Sequence, residues 1–308
     1  MQGLANICVV LSAVFWLAAD FPLSAEVVSL APVADTSLFE YSPDNNIGGA
    51  PFVTAGVTGD FAGNSKSRGL LKFDLAPAIP AGARINAARL VLQVTKINTS
   101  GTSPTYELRR VLKGWGEGNK TGNNGEPASL GEATWNSRQA PATAWSSPGG
   151  AAPDDFSLVS SAGLLVGGLG SYTFGPTPDL AADVQQWLDH PESNFGWILI
   201  AQDEAAPQTA RHFGSRENAT NAPALILDFT PAALTPAPVL YGITNTQSQF
   251  SFSFAVQTGH VYTVEYTPTL PVTNWQVWTN FSSSATATNF VVRDSSNTLP
   301  RFYRVKAE

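Results

Sequence analysis

The sequence predicts an all-β protein with many turns, and three observations lead to that prediction. Glycine and proline are frequent, at 26 and 22 of 308 residues, and they separate short apolar runs. Several of these runs alternate apolar and polar residues with the period of two that a half-buried strand requires. Hydrophobic residues make up 43% of the chain and aromatic residues 10%, so the chain can build a sizeable core and disorder is not expected.

The strands can be placed in order along the first part of the chain. Residues 69–74 form a predicted strand, residues 76–82 a turn rich in Pro and Ala, and residues 88–97 a second strand. Both faces of the 88–97 strand are apolar, which predicts a position in the middle of a sandwich. Residues 106–112 form a third strand. Residues 114–131 are a predicted long loop, because they contain six glycines and three asparagines.

One helix interrupts these strands. Thr177 suits its N-cap and Pro178 its first position. Apolar residues then recur at helical spacing, at Leu180, Val184 and Leu188. Residues 196–201 are a predicted buried strand, and residues 224–229 form the strand that closes the domain.

A second, smaller domain follows a linker. Three prolines among small residues occur over residues 230–238, and they predict a linker that we place at residues 232–238. Five short alternating runs, with turns every 8–12 residues, then predict a small fibronectin-like β-sandwich over residues 239–308. The runs are residues 250–254, 261–266, 275–278, 289–292 and 301–305.

The first 25 residues predict a signal peptide. Residues 7–19 are apolar but too short to span a bilayer, and small residues precede a cleavage site before Glu26. An uncut N-terminal anchor is the alternative, because the first six residues lack Lys and Arg. The single cysteine, Cys8, lies in this segment, so the mature chain has neither disulfides nor thiolate chemistry. We therefore expect a secreted or cell-surface protein, bacterial rather than eukaryotic.

The charge and hydropathy of the chain exclude two classes of partner from our expectation. The net charge is −7 and no basic cluster occurs, so nucleic acid is not an expected partner. After signal cleavage no stretch approaches the roughly 20 apolar residues of a membrane span, so membrane binding is not expected.

Five short blocks occur in a fixed order over residues 30–230. They are Ala34–Thr36, Asn46–Gly48, Arg68–Asp74, the pair Trp115–Glu117 with Thr134–Asn136, and Phe213–Glu217. In this order they resemble the DNRLRE-domain family, which is related to the disaggregatase repeat and to carbohydrate-binding modules found beside alginate lyases. Ile47 stands where the family has an aromatic residue, and the literal DNRLRE string is missing. The resemblance implies a jelly-roll β-sandwich over residues 26–231 that binds polysaccharide.

Tryptophans and cations are the candidate ligand-binding residues. Sugar C–H groups pack on an indole face, and Trp115 in the glycine-rich loop is the best candidate for an exposed indole. Trp135 and Trp187 are expected in the core. A uronate polymer would also require cations for its carboxylates. The available cations are Arg110, Lys113, Lys120, Arg138, Arg211 and Arg216.

Calcium is the expected metal, in a structural role. Asp35 and Asp44 are the candidate ligands, since calcium prefers carboxylate and carbonyl oxygens. Residues 44–48 resemble part of a calcium loop but lack its distal glutamate. A turn rich in Asn and Gly is the alternative explanation.

The motifs do not predict catalysis. The three histidines, His190, His212 and His260, are scattered, and neither Gly-x-Ser-x-Gly nor His-Glu-x-x-His occurs. The candidate carboxylates for glycoside hydrolysis are Glu117 and Glu132, which flank the glycine-rich loop, and Glu204 and Glu217 in later loops. We expect a non-catalytic protein that binds polysaccharide, including acidic polymers of the alginate type. The alternatives are a structural or adhesive surface protein and a polysaccharide-degrading enzyme.

Overall fold

The computed structural model describes residues 24–98, 102–232, 238–246, 249–257, 260–269, 274–283, 289–295 and 301–307. The all-β prediction is confirmed, with 49% of the described residues in strands and 7% in helices, of which one is an α-helix. The chain divides into two compact units, Leu23–Ala232 and Ala233–Glu308. Residues 1–23 of the predicted signal peptide and 233–237 of the predicted linker lie outside the described residues. In the described part of the chain, no helix is both long and apolar enough to cross a membrane.

The described part of the first unit contains fifteen strands and one α-helix. The strands are β1 (Glu26–Leu30), β2 (Pro32–Phe39), β3 (Asn45–Asn46), β4 (Phe52–Val57), β5 (Lys66–Phe73), β6 (Arg84–Ile97), β7 (Thr105–Val111), β8 (Glu126–Pro127), β9 (Ser137–Gln139), β10 (Thr143–Ala144), β11 (Phe156–Leu165), β12 (Gly170–Phe174), β13 (Trp197–Ala201), β14 (Arg211–Gly214) and β15 (Ala224–Thr230). The helix α1 is Pro178–Asp189, and two short 3-10 helices are Asp60–Ala62 and Pro191–Ser193.

Eleven of these strands form one curled antiparallel sheet. Its order is β1-β15-β6-β14-β4-β5-β13-β7-β11, with β12 also on β6 and β2 also on β5. The sheet has two halves, one with β1, β15, β6, β12 and β14 and the other with β5, β2, β13, β7 and β11. β6 is central in the first half, because β12 pairs along one of its edges while β14 and β15 lie end to end along the other. β4 links the two halves by pairing first with β14 and then with β5.

The two halves of the sheet enclose one core. Leu90 and Leu92 of β6 are fully buried in the same cluster as Trp197 and Leu199 of β13. This burial explains the apolar face predicted for β6.

The helix α1 begins and packs as its sequence predicts. The Thr177 hydroxyl accepts a hydrogen bond from the Leu180 backbone N–H at 3.1 Å, a cap that stabilises the helix by about 1 kcal/mol. Leu180, Val184 and Trp187 are buried in the core, at about 1.5–3 kcal/mol each. Tertiary burial therefore contributes more to this helix than its cap does.

The second unit is a small β-sandwich of two three-stranded antiparallel sheets, β16-β17-β20 and β19-β18-β21. Its strands are β16 (Leu240–Asn245), β17 (Phe250–Ala255), β18 (Val261–Thr267), β19 (Gln276–Ser282), β20 (Asn289–Asp294) and β21 (Phe302–Ala307). Phe252, Phe254, Tyr262 and Val264 are the centre of its core. Five of these strands were predicted. The sixth, β16, has a glycine in its middle and does not alternate.

Candidate functional site

The glycine-rich segment 114–131 is held against the turns between β2 and β4. Asn46 is fully buried, and its side-chain amide donates to the backbone carbonyls of Glu117 at 2.6 Å and Ala133 at 2.9 Å. The amide oxygen of Asn46 accepts from the Gly48 N–H at 3.0 Å. One buried side chain therefore fixes the loop at two points.

Glycine is required at this contact because the backbones approach closely. Gly118 has a φ of +83°, and a Cβ at that position would lie 2.2 Å from the Asn46 amide oxygen. A Cβ on Gly48 would lie 2.2 Å from the Glu117 carbonyl oxygen. These glycines serve close packing, which is one of the uses of a residue without a side chain.

Trp115 has a structural contact. Its indole N–H donates to the Phe195 carbonyl at 2.8 Å, and its ring is half-buried against a second core cluster. Trp135 and Trp145 are buried in that cluster. Trp187 is buried in the main core, 4.4 Å from the Trp197 ring. The tryptophans of the first unit therefore do not offer an open indole face.

Most of the predicted cations donate to the protein itself. Lys120 donates to a hydroxyl 2.7 Å away and Arg138 to a carbonyl 2.8 Å away, both within or beside the glycine-rich loop. Arg211 is 1% exposed, and its guanidinium serves four backbone carbonyls, those of Thr102, Gly167, Thr209 and Ala210. Lys113 is exposed. The fold does not gather these cations into one binding face.

Arg216 lies among three carboxylates. Its guanidinium is 2.5 Å from Glu117 and 2.9 Å from Glu217, while its backbone N–H donates to Asp35 at 2.7 Å. The Asp35 N–H in turn donates to Glu117 at 2.7 Å. Burial raises the pKa of Asp35 to about 8, and burial also raises the pKa of Glu117. The network joins β2, the glycine-rich loop and the segment after β14.

The two predicted calcium ligands have different surroundings. Asp35 is 1% exposed and belongs to the Arg216 network, where a guanidinium already supplies positive charge. Asp44 is exposed and accepts a hydrogen bond from the Asn136 side chain at 2.9 Å. Among the described residues, no three His, Cys, Asp or Glu side chains converge on a point that could hold a metal. Calcium binding at Asp35 or Asp44 stays a prediction.

A groove of about 250 Å³ opens on the first unit and has a polar and aromatic lining. Tyr41, in the turn after β2, is 60% exposed. Asn123 and Asn124 come from the glycine-rich loop, and His212 comes from β14. The remaining lining residues are Phe39, Ser42, Thr54, Thr58, Ala62, Ser67 and Ala210. We refer to it below as the Tyr41 groove.

His212 enters this groove as an uncharged ring. It stacks on Phe52 with ring centroids 4.1 Å apart and an interplanar angle of 17°. Burial lowers the pKa of His212 to about 4, and the nearby charge of Lys96 acts in the same direction. At neutral pH the imidazole therefore offers one donor and one acceptor.

A second groove, of about 410 Å³, has a different character. It lies beside the end of α1 and is lined mainly by apolar groups, including Phe73, Leu75, Ile79 and Trp187. Phe73 and Trp187 are buried, so neither presents an open ring face.

The sequence did not single out Tyr41 or Phe61, the two most exposed aromatic residues of the first unit. Phe61 lies in the short helix Asp60–Ala62, next to the groove residue Ala62, and is fully exposed. The signal available in the sequence was an aromatic residue between two strands. The prediction considered only tryptophans as exposed aromatic residues and therefore did not include Tyr41 or Phe61.

Comparisons with known proteins give no relative. No family model matches the chain, and no curated protein matches its sequence. The resemblance to the DNRLRE-domain family stays a prediction that rests on the quoted motifs.

Proposed function

We propose that the first unit binds a polysaccharide without cleaving it, and that the Tyr41 groove is the binding site. The observation that carries this proposal is Tyr41 itself, an aromatic ring 60% exposed beside hydroxyl, amide and imidazole side chains. A sugar ring combines an apolar C–H face with hydroxyl edges. An aromatic platform with a few polar groups nearby is the matching surface.

The polar side chains of the groove suit hydroxyl ligands. A sugar hydroxyl both donates and accepts, and so do the Asn, Ser and Thr side chains and the neutral ring of His212. Asn123 and Asn124 are exposed at the groove, so their amides are accessible to a ligand.

The carboxylates support binding rather than cleavage. Hydrolysis of a glycosidic bond requires two carboxyl groups on either side of an accessible bond. Glu117 is engaged by Arg216, and Glu132 is buried and accepts the Ser129 N–H at 2.7 Å. Neither residue, nor Asp35, lines either groove. Burial accounts for the raised pKa values of Asp35 and Glu117, and the charge of Arg216 acts in the opposite direction.

The proposed setting is extracellular, on the basis of the leader sequence. Export also agrees with a mature chain free of cysteine, since such a chain depends on no oxidation state.

Titration calorimetry of the mature chain against a polysaccharide panel tests the proposal. Tyr41→Ala should lower the affinity for the bound polymer at least tenfold while leaving the melting temperature unchanged, because the ring is mostly exposed. Leu158→Ala is the matched control, since Leu158 is 66% exposed on β11 and lies outside the groove. Unchanged affinity in Tyr41→Ala would refute the assignment of the site, and release of reducing ends would refute the non-catalytic role.

An adhesive role is the second candidate, and a different surface favours it. Among the described strands β11 pairs only with β7, and it exposes Leu158 and Val159. Exposed apolar side chains on an edge strand are suited to contact with another protein. If this role is correct, charged substitutions at these two positions abolish attachment to protein-coated surfaces while polysaccharide binding persists.

A further inference from the structure

We infer that the Tyr41 groove takes an uncharged polysaccharide and discriminates against uronate polymers. This inference rests on the proposed function and specifies its ligand class. Its first support is the lining itself. None of the eleven described residues that line the groove is Asp, Glu, Lys or Arg. Apart from the Tyr41 phenol, His212 is the only ionisable side chain among them.

The imidazole does not supply the missing positive charge. His212 is stacked on Phe52 and faces the charge of Lys96, and both its burial and that lysine favour the neutral ring. A uronate carboxylate in the groove would meet neutral donors and no cation among the described lining residues. Moving a carboxylate out of water without a cationic partner is costly, whereas a hydroxyl has no such penalty when it is hydrogen-bonded.

The immediate surroundings of the groove carry balanced charge. Glu40 and Asp60 are exposed carboxylates beside lining residues, and they accept from the Lys66 backbone N–H and the Asn64 side chain. Lys96 lies opposite His212 in the pairing of β6 with β14, and Lys66 directly precedes the lining residue Ser67 in β5. Two of each sign leave no excess of positive potential to attract an acidic polymer, and the whole chain is negative, at −7.

The arginines, which are best suited to carboxylate recognition, are engaged elsewhere. The planar guanidinium fork binds carboxylates through two parallel hydrogen bonds. The Arg211 guanidinium donates to four backbone carbonyls, and the Arg216 guanidinium pairs with Glu117 and Glu217. Neither lines the groove. The chemistry that a uronate requires is therefore present in the sequence but absent from this surface.

The experiment compares neutral and acidic polymers with the mature full-length chain. Barley β-glucan, glucomannan and arabinoxylan are the neutral probes, and alginate and polygalacturonate are the acidic ones, each at 50 and 500 mM NaCl. We expect at least one neutral polymer to bind, with an affinity that changes less than twofold with salt. We expect Tyr41→Ala to weaken that binding at least tenfold. Screening by salt acts on charge pairs and leaves stacking and neutral hydrogen bonds largely unaffected.

The outcomes separate this inference from the proposed function. Alginate binding that depends on Tyr41 and weakens at 500 mM NaCl would overturn the neutral-ligand inference and leave polysaccharide binding intact. Absence of Tyr41-dependent binding to every polymer would overturn both. Tyr41→Phe, which keeps the ring, should bind neutral polymer nearly as well as the wild type. A loss of binding in Tyr41→Phe as large as that in Tyr41→Ala would contradict stacking as its basis.

Discussion

Deprotonation of Asp35 should make the first unit less stable as the pH rises above 6.5. Its pKa is 3.8 in the unfolded chain and about 8 in the folded protein, because burial disfavours the charged form. Between these values the folded state holds a proton that the unfolded state has lost. The free energy of unfolding therefore falls as the pH rises, by about 1.4 kcal/mol per pH unit. This contribution is complete below the unfolded pKa and is lost as the pH passes through the folded pKa.

His212 has the opposite effect in a lower pH range. Its pKa falls from 6.5 in the unfolded chain to about 4 in the folded protein, so between these values the unfolded state holds the extra proton. Stability from this group rises with pH up to 6.5 and offsets the loss from Asp35. Glu117 has a raised pKa and adds to the Asp35 effect just above its ordinary range. Above pH 6.5 the Asp35 effect is the larger of the two, and from pH 6.5 to 8 the net loss is about 1 kcal/mol, because half of the folded molecules have already lost the Asp35 proton at pH 8.

Asp35→Asn isolates this effect. Its amide oxygen can still accept the Arg216 backbone N–H, but the side chain no longer ionises. A loss of about 1 kcal/mol lowers the melting temperature of a unit of this size by about 2–4 °C. Tryptophan fluorescence follows the first unit, which contains five of the eight tryptophans. We expect the wild type to lose that stability between pH 6.5 and 8 and Asp35→Asn to lose none.

Asp44→Asn, which removes an exposed carboxylate, controls for the loss of one formal charge and should keep the wild-type profile. The reasoning fails if the wild type melts at the same temperature at pH 6.5 and 8. It also fails if Asp35→Asn keeps the wild-type slope, since the titrating group would then be another residue.

Three further outcomes are expected. Trp115→Ala should destabilise the first unit by about 2–4 kcal/mol in denaturant titrations, because it removes the bond to Phe195 and leaves a cavity, with no loss of affinity per folded molecule; a binding defect at full stability would contradict this. EDTA should leave the melting temperature unchanged, since burial keeps Asp35 largely protonated at neutral pH and Arg216 pairs with Glu117 and Glu217, and a clear drop would instead establish structural calcium. Mass spectrometry of exported protein should show a chain that begins at Glu26, and an intact Met1 would disprove cleavage.

Sequence patterns predicted those elements whose local signal and burial agree. The strand at 88–97 and the helix from Pro178 both carry their buried face in a regular period, so the pattern survives folding. β11 was missed because its register with β7 shifts twice, which breaks the alternation of its side chains. β16 was missed because Gly242 interrupts its pattern and its residues are mostly exposed. In both strands the stabilising interaction is the pairing itself, which leaves little trace in a single sequence.

The candidate site was beyond the reach of sequence reasoning for a different reason. Tyr41, Asn123 and His212 come from three distant segments, and only the curling of the sheet brings them to one groove. None of the three is unusual in its own segment. The prediction of cationic binding residues has the same weakness. The sequence shows that Arg211 is charged but does not show that backbone carbonyls surround it. Residue type indicates what a side chain can bind, while its neighbours decide whether it is available.

The glycine-rich loop shows that a composition typical of flexible segments can occur in a loop that is held in place. Six glycines in eighteen residues suggest a flexible segment. Here Gly118 instead permits the contact with Asn46 that ties the loop to the turns between β2 and β4. Asn123 and Asn124 then face the groove from a wall that is already in place. A preformed wall loses little conformational freedom when a ligand binds, so a modest number of neutral hydrogen bonds and one aromatic ring can suffice for recognition.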